Sequence, residues 1–300
     1  METFLKELPQ YFSIATIFPT ITFLGIKIRN NSQFFMPTEY KVIRNIINKI
    51  ASNNDLGEYP LTFTIIAGSR TYWIAKALGI CQKKESCYFI KNINPFIPYR
   101  GRLSEELNEA MRQSYLLNTI EAYAWSNGTI AISRSSFKNN ERKEDYLAFV
   151  IGHEISHILN KDSFNNSLKK DKEGKGLEPK KKELLGFKLS RKSESKADIN
   201  SAKMLINAGY KKDIPIQAHD FIAKIGGYGY ITDKKSSHPG YEERRNKLKS
   251  FLQKHKYDKS IELPKANTQG NWIFNRKENT LTFRIKSSKK IEAIDKDIKK

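Results

Sequence analysis

The stretch Ile151-Gly-His-Glu-Ile-Ser-His-Ile158 sets His153 and His157 four residues apart with Glu154 between them. On an α-helix, residues i and i+4 lie one above the other on a single face. Two imidazoles so placed can grip one tetrahedral zinc ion, and the neighbouring carboxylate reaches a water held at an open coordination position. The flanks read as helix, because Tyr146, Leu147, Val150, Ile151, Ile155 and Ile158 recur at three- and four-residue steps. Gly152 is the sole Gly or Pro in the run and allows close packing beside the histidines. The bland alternative is a buried helix with two incidental histidines. With five His in 300 residues, this spacing around a Glu is hard to reach by chance.

A zinc site of this kind needs a third ligand and groups that orient the imidazoles. Glu194-Ser-Lys-Ala-Asp198 begins 37 residues after His157. It lies in a second helical pattern, with Ala197, Ile199, Ala202, Leu205 and Ile206 on the apolar side and Asn207-Ala-Gly209 as the stop. Glu194 and Asp198 share a face, so Glu194 is the candidate ligand and Asp198 the candidate acceptor for a ligand imidazole. Alone, a carboxylate on a Lys-rich helix is usually a solvated charge. Its position after His153 and His157 reverses that reading.

With Ser237-His-Pro-Gly-Tyr-Glu-Glu-Arg244, three ordered motifs are in place. Together they strongly resemble the zinc metallopeptidases of the HtpX and CAAX-prenyl-protease type, the gluzincins of peptidase family forty-eight. Arg244 stands six residues after His238, as in the family's segment, and Leu205-Ile-Asn-Ala-Gly-Tyr210 resembles its apolar stretch. The likeness covers roughly residues 40 to 252. It implies one zinc per chain held by His153, His157 and Glu194, with Glu154 as the base. Asp198 would fix an imidazole tautomer, and His238 and Arg244 would stabilise an oxyanion or orient substrate, unless His238 caps the metal in a resting form. Glu121-Ala-Tyr-Ala-Trp-Ser-Asn-Gly128 resembles the segment that leads into the family's active-site edge strand. By position, Gly128, Thr129, Ile130, Ala131 and Ile132 would bind the substrate by strand addition. Glu121, Trp125, Ser126 and Asn127 depart from the family's usual residues, which puts substrate preference in doubt.

The expected architecture is α+β: a zincin-like metallopeptidase domain with a mainly helical core, a small sheet with an active-site edge strand, and a basic C-terminal β-hairpin extension. Residues 1–36 form a strand-like segment packed on the core, 37–252 the metallopeptidase domain and 253–300 a Lys-rich tail. The hairpin of that tail comprises Trp272-Ile-Phe274 and Leu281-Thr-Phe-Arg-Ile285. Residues 161–192 read as a basic mobile loop, and His219 as a packed or surface histidine within a helix over 210–225.

Composition sets the outer limits. A chain that is 39% hydrophobic and 11% aromatic can bury a core, which excludes wholesale disorder. The net charge of +21 is concentrated: residues 161–192 carry +6 and residues 244–300 carry +11. Lys far outnumbers Arg there, and few aromatics interleave with the charges of 161–192. This suits a solvated surface with generic anion affinity, towards an anionic membrane or nucleic acid, better than sequence-specific binding. Cys81 and Cys87 match no zinc-ribbon spacing and leave a local disulfide or two free thiols open. Tyr11–Ile26 is only 16 residues long, contains Pro19 and carries five hydroxyl side chains, so it fits neither a spanning helix nor a signal peptide well. A cytoplasmic place is favoured over a membrane-associated or exported one.

The expected activity is zinc-dependent endopeptidase cleavage of extended or unfolded polypeptides. The alternative is a latent or inactive metallopeptidase-fold scaffold whose basic tail binds membrane or nucleic acid. An intact Glu154 speaks against the scaffold, since a purely structural metal site needs no base.

Overall fold

The structure is a computed structural model that describes residues 36–81, 89–97, 104–117, 119–138, 143–226, 229–254 and 270–285. The strand-like reading of residues 1–35 lies outside them. Among the described residues eight α-helices follow in chain order: α1 (Thr38–Ala51), α2 (Ser69–Ala77), α3 (Ser104–Leu116), α4 (Lys143–Leu159), α5 (Asp162–Glu173), α6 (Pro179–Asn207), α7 (Ile214–Gly226) and α8 (Tyr241–Lys254). Five strands, β1 (Leu61–Ile66), β2 (Ala122–Ala124), β3 (Thr129–Ser133), β4 (Gly270–Asn275) and β5 (Thr280–Ile285), form one sheet in the order β2-β3-β1-β5-β4.

The central strand β1 has a β-branched, aromatic sequence between Pro60 and Gly68, which favours extension over helix. It runs parallel to β3, with Phe63 opposite Ile130, and antiparallel to β5, with Phe63 opposite Leu281. Ile43, Ile47 and Ile50 of α1, Leu147, Ile151 and Ile155 of α4, and Leu205 of α6 close one buried cluster with Phe63, Ile132 and Phe283 of the sheet.

The site depends on how closely α4 and α6 approach. A Cβ at Gly152 would stand 2.6 Å from Ser201 Oγ, a distance that side-chain atoms do not tolerate. The Ser201 hydroxyl instead donates to the Phe149 carbonyl at 2.5 Å and ties the two helices together. A side chain at position 152 would force the Ser201 hydroxyl out of this bond and crowd the contact that brings Glu194 and Asp198 to the histidines.

Three expectations need correction. Residues 161–192 are not a loop: α5 and the first half of α6 fill them, joined by a turn around Gly174-Lys-Gly176. Lys, Leu and Glu are good helix formers, and Pro179 takes the first helical position, where its missing N–H costs nothing. Second, the C-terminal hairpin is no separate extension, since β5 joins β1 in the main sheet and Phe283 is fully buried. Third, β3 is not an edge strand. It is paired on both sides, and Ile130, Ala131 and Ile132 are buried, so none of them is open to strand addition. Three consecutive buried apolar residues are what a strand covered on both faces requires. The free edge on that side is β2. Cys81 is disulfide-bonded. Among the described residues no helix is long and apolar enough to cross a membrane.

Candidate metal centre and cleft

Helix α4 presents His153 and His157 on one face, and α6 crosses it with Glu194 opposite both. His153 Nε2 and His157 Nε2 are 3.0 Å apart; Glu194 Oε2 is 3.2 Å from the first and Glu194 Oε1 3.4 Å from the second. A tetrahedral ion with N and O ligands at 2.0–2.1 Å has ligand–ligand edges of about 3.3 Å. The three side chains therefore already span a triangle of the right size for one such ion.

The other ring nitrogens fix how the imidazoles are used. His153 Nδ1 lies 2.9 Å from Asp198 Oδ1, and His157 Nδ1 lies 2.8 Å from Asp162 Oδ2. A carboxylate at Nδ1 places the ring proton there and leaves the Nε2 lone pair directed at the other ring. Two such lone pairs at 3.0 Å beside a carboxylate repel one another unless a cation, or added protons, sits between them. Burial alone would depress both histidines. In the metal-free centre, hydrogen bonds to Asp198 and Glu194 override that for His153 and lift it to about 10, and Asp162 with Glu194 lift His157 to about 9. Burial would raise Glu194 and Asp198 as well, yet the imidazoles hold Glu194 low, and Arg244 with His153 holds Asp198 low. The donor set thus draws positive charge strongly and fits a divalent cation.

Glu154 is buried next to this triangle. Burial pushes its carboxyl up, against the pull of His153 and His157; Glu194 adds to the rise and a bond with the Ala124 backbone opposes it. It lies outside the ligand triangle, in the cleft wall beside both histidines.

Arg244 binds Asp198 through Nε and Nη2 at 2.8 and 2.6 Å, so it steadies the carboxylate behind His153, and it also borders the cleft. His238 stands at the rim, half-exposed, with Nε2 3.6 Å from Glu194 Oε2 and Nδ1 2.9 Å from Ser237 Oγ. Burial lowers it against the opposing pull of Glu194, and Arg244 with the two imidazoles adds to the fall. Two residues that the sequence reading missed position this centre. Asp162 was hidden in the supposed loop. Arg191 donates through Nη1 to the carbonyls of Lys234 at 2.9 Å and Ser236 at 2.7 Å, pinning the turn that carries His238. Its signal was an Arg within a lysine run, three residues before Glu194 and so on the same helical face.

A cleft passes over the centre with an arm on each side. One arm, a cavity of about 440 Å³, runs past Tyr123, Val150, His219 and Tyr241; the other, about 710 Å³, runs past Tyr59, Trp125, Gly128 and Phe164. His153, Glu154, Glu194, His238 and strand β2 border both. Strand β2 pairs with β3 at Tyr123 and Ala131, and the bonds Ser133 N–H to Glu121 O and Trp125 N–H to Thr129 O flank that pair. Alternation then turns the backbone groups of Ala122 and Ala124 away from β3, towards the cleft.

A buried cation-binding triangle with an adjacent carboxylate is the arrangement of a metal-dependent hydrolase site. Residues 103–171 match the family model described as Peptidase family M48, and this supports that family for the chain. The family is one of metallopeptidases, typically zinc-dependent. The match spans α3 to most of α5 and so includes His153, Glu154, His157 and Asp162; Glu194, Asp198, His238 and Arg244 lie beyond it. The comparisons with curated proteins and with solved structures gave no match.

Proposed function

We propose that the chain is a zinc-dependent endopeptidase acting on extended or unfolded polypeptide. The observation that carries this reading is the pair of Nε2 atoms 3.0 Å apart, each ring oriented by a carboxylate on its far side, with Glu194 completing the triangle. His153, His157 and Glu194 would hold the ion. When bound, zinc supplies Lewis acidity, lowering the pKa of a water towards about 7 and polarising a carbonyl.

Glu154 is suited to proton transfer because burial raises its affinity for a proton while the imidazoles keep it ionisable. It takes the proton from the attacking water and delivers it to the leaving amine of the peptide. The outward backbone groups of Ala122 and the carbonyl of Ala124, whose N–H is bonded to Glu154, hold the peptide extended beside Glu154 as an added strand. His238, on the rim and with its pKa lowered, donates from a ring nitrogen to the carbonyl oxygen as negative charge develops there. Asp198, steadied by Arg244, and Asp162 hold the two imidazoles in the required tautomer and direction.

Cavities on both sides of the centre give room for a chain to continue past it in each direction, which supports cleavage within a chain over removal of terminal residues. The test is hydrolysis of reduced, unfolded casein. Wild type should generate internal fragments, lose activity to a chelator and regain it with zinc, and His157→Ala should lose both zinc and cleavage. Chelator-resistant cleavage would overturn the reading.

A further inference from the structure

The two arms of the cleft differ in character, and one carries an unexplained feature. Among the described residues six aromatic side chains are markedly exposed, and three of them, Tyr59 (72%), Trp125 (39%) and Phe164 (65%), line the arm on the His157 side. Exposed aromatic surface has an unfavourable hydration cost, and its concentration in one concavity marks a binding region. The walls are held firmly. Trp125 occupies a tight turn closed by its own N–H to Thr129 O at 2.8 Å and by Gly128 N–H to Trp125 O at 3.1 Å. Phe164 lies in the first turn of α5, directly after Lys161, whose φ of 51° reverses the chain so that Asp162 can reach His157. Lys161 Nζ stands 5.8 Å over the Tyr59 ring. Two of the aromatic walls are thus fixed by the elements that fix the chemistry: the turn after the free edge strand, and the turn that anchors a metal-ligand candidate.

We propose that Trp125, Phe164 and Tyr59 form a subsite that selects a bulky aromatic or aliphatic side chain of the substrate at a fixed distance from the bond cleaved. This rests on the peptidase reading of the cleft. A peptide added to the edge of β2 alternates its side chains, so one of them enters this arm while its backbone stays bound at Ala122 and Ala124. The cavity of about 710 Å³ is large enough for a Phe, Leu or Trp side chain. The opposite arm carries a single one of these six aromatics, Trp73 (57%), beside Glu121 and His219, so the stronger preference is expected on the His157 side. Unfolded chains expose just such apolar side chains, and folded ones bury them.

The test maps cleavage sites in unfolded casein by mass spectrometry for wild type, Tyr59→Ala and the double variant Trp125→Ala/Phe164→Ala, each checked for native circular dichroism. The expected wild-type profile has Phe, Tyr, Trp and Leu enriched at one position relative to the cleaved bond. For a pair of peptides differing only by Phe or Ala at that position, the wild-type kcat/KM ratio should be about tenfold, lie mainly in KM, and collapse towards one in the double variant. Tyr59→Ala, at the outer rim with little bearing on folding, should reduce the ratio partly. A flat wild-type profile, or a preference that survives the double substitution, overturns the subsite. Should wild type cleave nothing, anisotropy titrations of the same two labelled peptides decide. A Phe preference lost in the double variant keeps the subsite and rejects the peptidase reading; equal binding of both peptides by wild type rejects the subsite.

Discussion

Asp162 Oδ2 stands 2.8 Å from His157 Nδ1, although it belongs to the helix after the one that carries the imidazole. Lys161, at φ 51°, makes this possible by turning the chain sharply between α4 and α5. The same arrangement holds His153, where Asp198 reaches Nδ1 from α6 and is itself clasped by Arg244. Each imidazole therefore has its own carboxylate, which raises its basicity as a ligand.

Removing the first of these carboxylates should weaken metal binding without unfolding the protein. Asp162→Ala is expected to lower zinc affinity about 10- to 100-fold, measured by competition with a chromophoric chelator. An unchanged affinity would mean that Asp162 merely caps α5.

Arg191 acts at a distance from the metal triangle, by holding the turn of residues 233–237 ahead of His238. Arg191→Ala should leave zinc content at the wild-type value and lower kcat on unfolded casein about tenfold, since a displaced polar group stabilises developing charge poorly. Equal kcat in both proteins would remove Arg191 from the account.

His219 gives a pH dependence that belongs to the fold and not to the metal. It is buried, stacks on Tyr241 at 5.3 Å, and its Nδ1 has no hydrogen-bond partner among the described residues, the Asp220 carboxylate standing 3.9 Å away. Burial first, and then the charge of Arg244, hold it down at about 4. An unfolded His titrates near 6.5, so below that pH the unfolded state gains a proton that the folded state refuses. Stability from this residue is full above about pH 6.5, falls as pH drops through the interval, and is lost by about pH 4, a change on the order of 3 kcal/mol. His219→Phe keeps a ring against Tyr241 and removes the titration. Its urea-derived stability should fall less than that of wild type between pH 7 and 4.5, and parallel curves would refute the assignment.

The legible part of this molecule was local. His153, Glu154 and His157 are set by one helical turn, and the pairing of Glu194 with Asp198 by another, so spacing alone located them. The edge strand was misplaced because β2 has only three residues and shows no alternation to read, while the longer β3 drew the assignment. The contribution of the C-terminal hairpin was hidden by distance: Thr62 meets Thr282 across 220 residues, a pairing no local pattern encodes. In residues 161–192 polarity outweighed helix propensity in the reading, whereas in the molecule the lysines line helices that hold Asp162 and Arg191 in place. The aromatic wall of the cleft joins Tyr59, Trp125 and Phe164 from three separate segments, and only the fold brings them together.

The most direct test compares zinc content and casein hydrolysis for wild type and Glu154→Gln in parallel. The substitution keeps the shape of the side chain and removes its ability to accept and return a proton. About one zinc per chain is expected in both proteins, with cleavage by wild type alone and the variant down by at least about a hundredfold. Cleavage by Glu154→Gln at the wild-type rate, with zinc retained, would contradict that expectation.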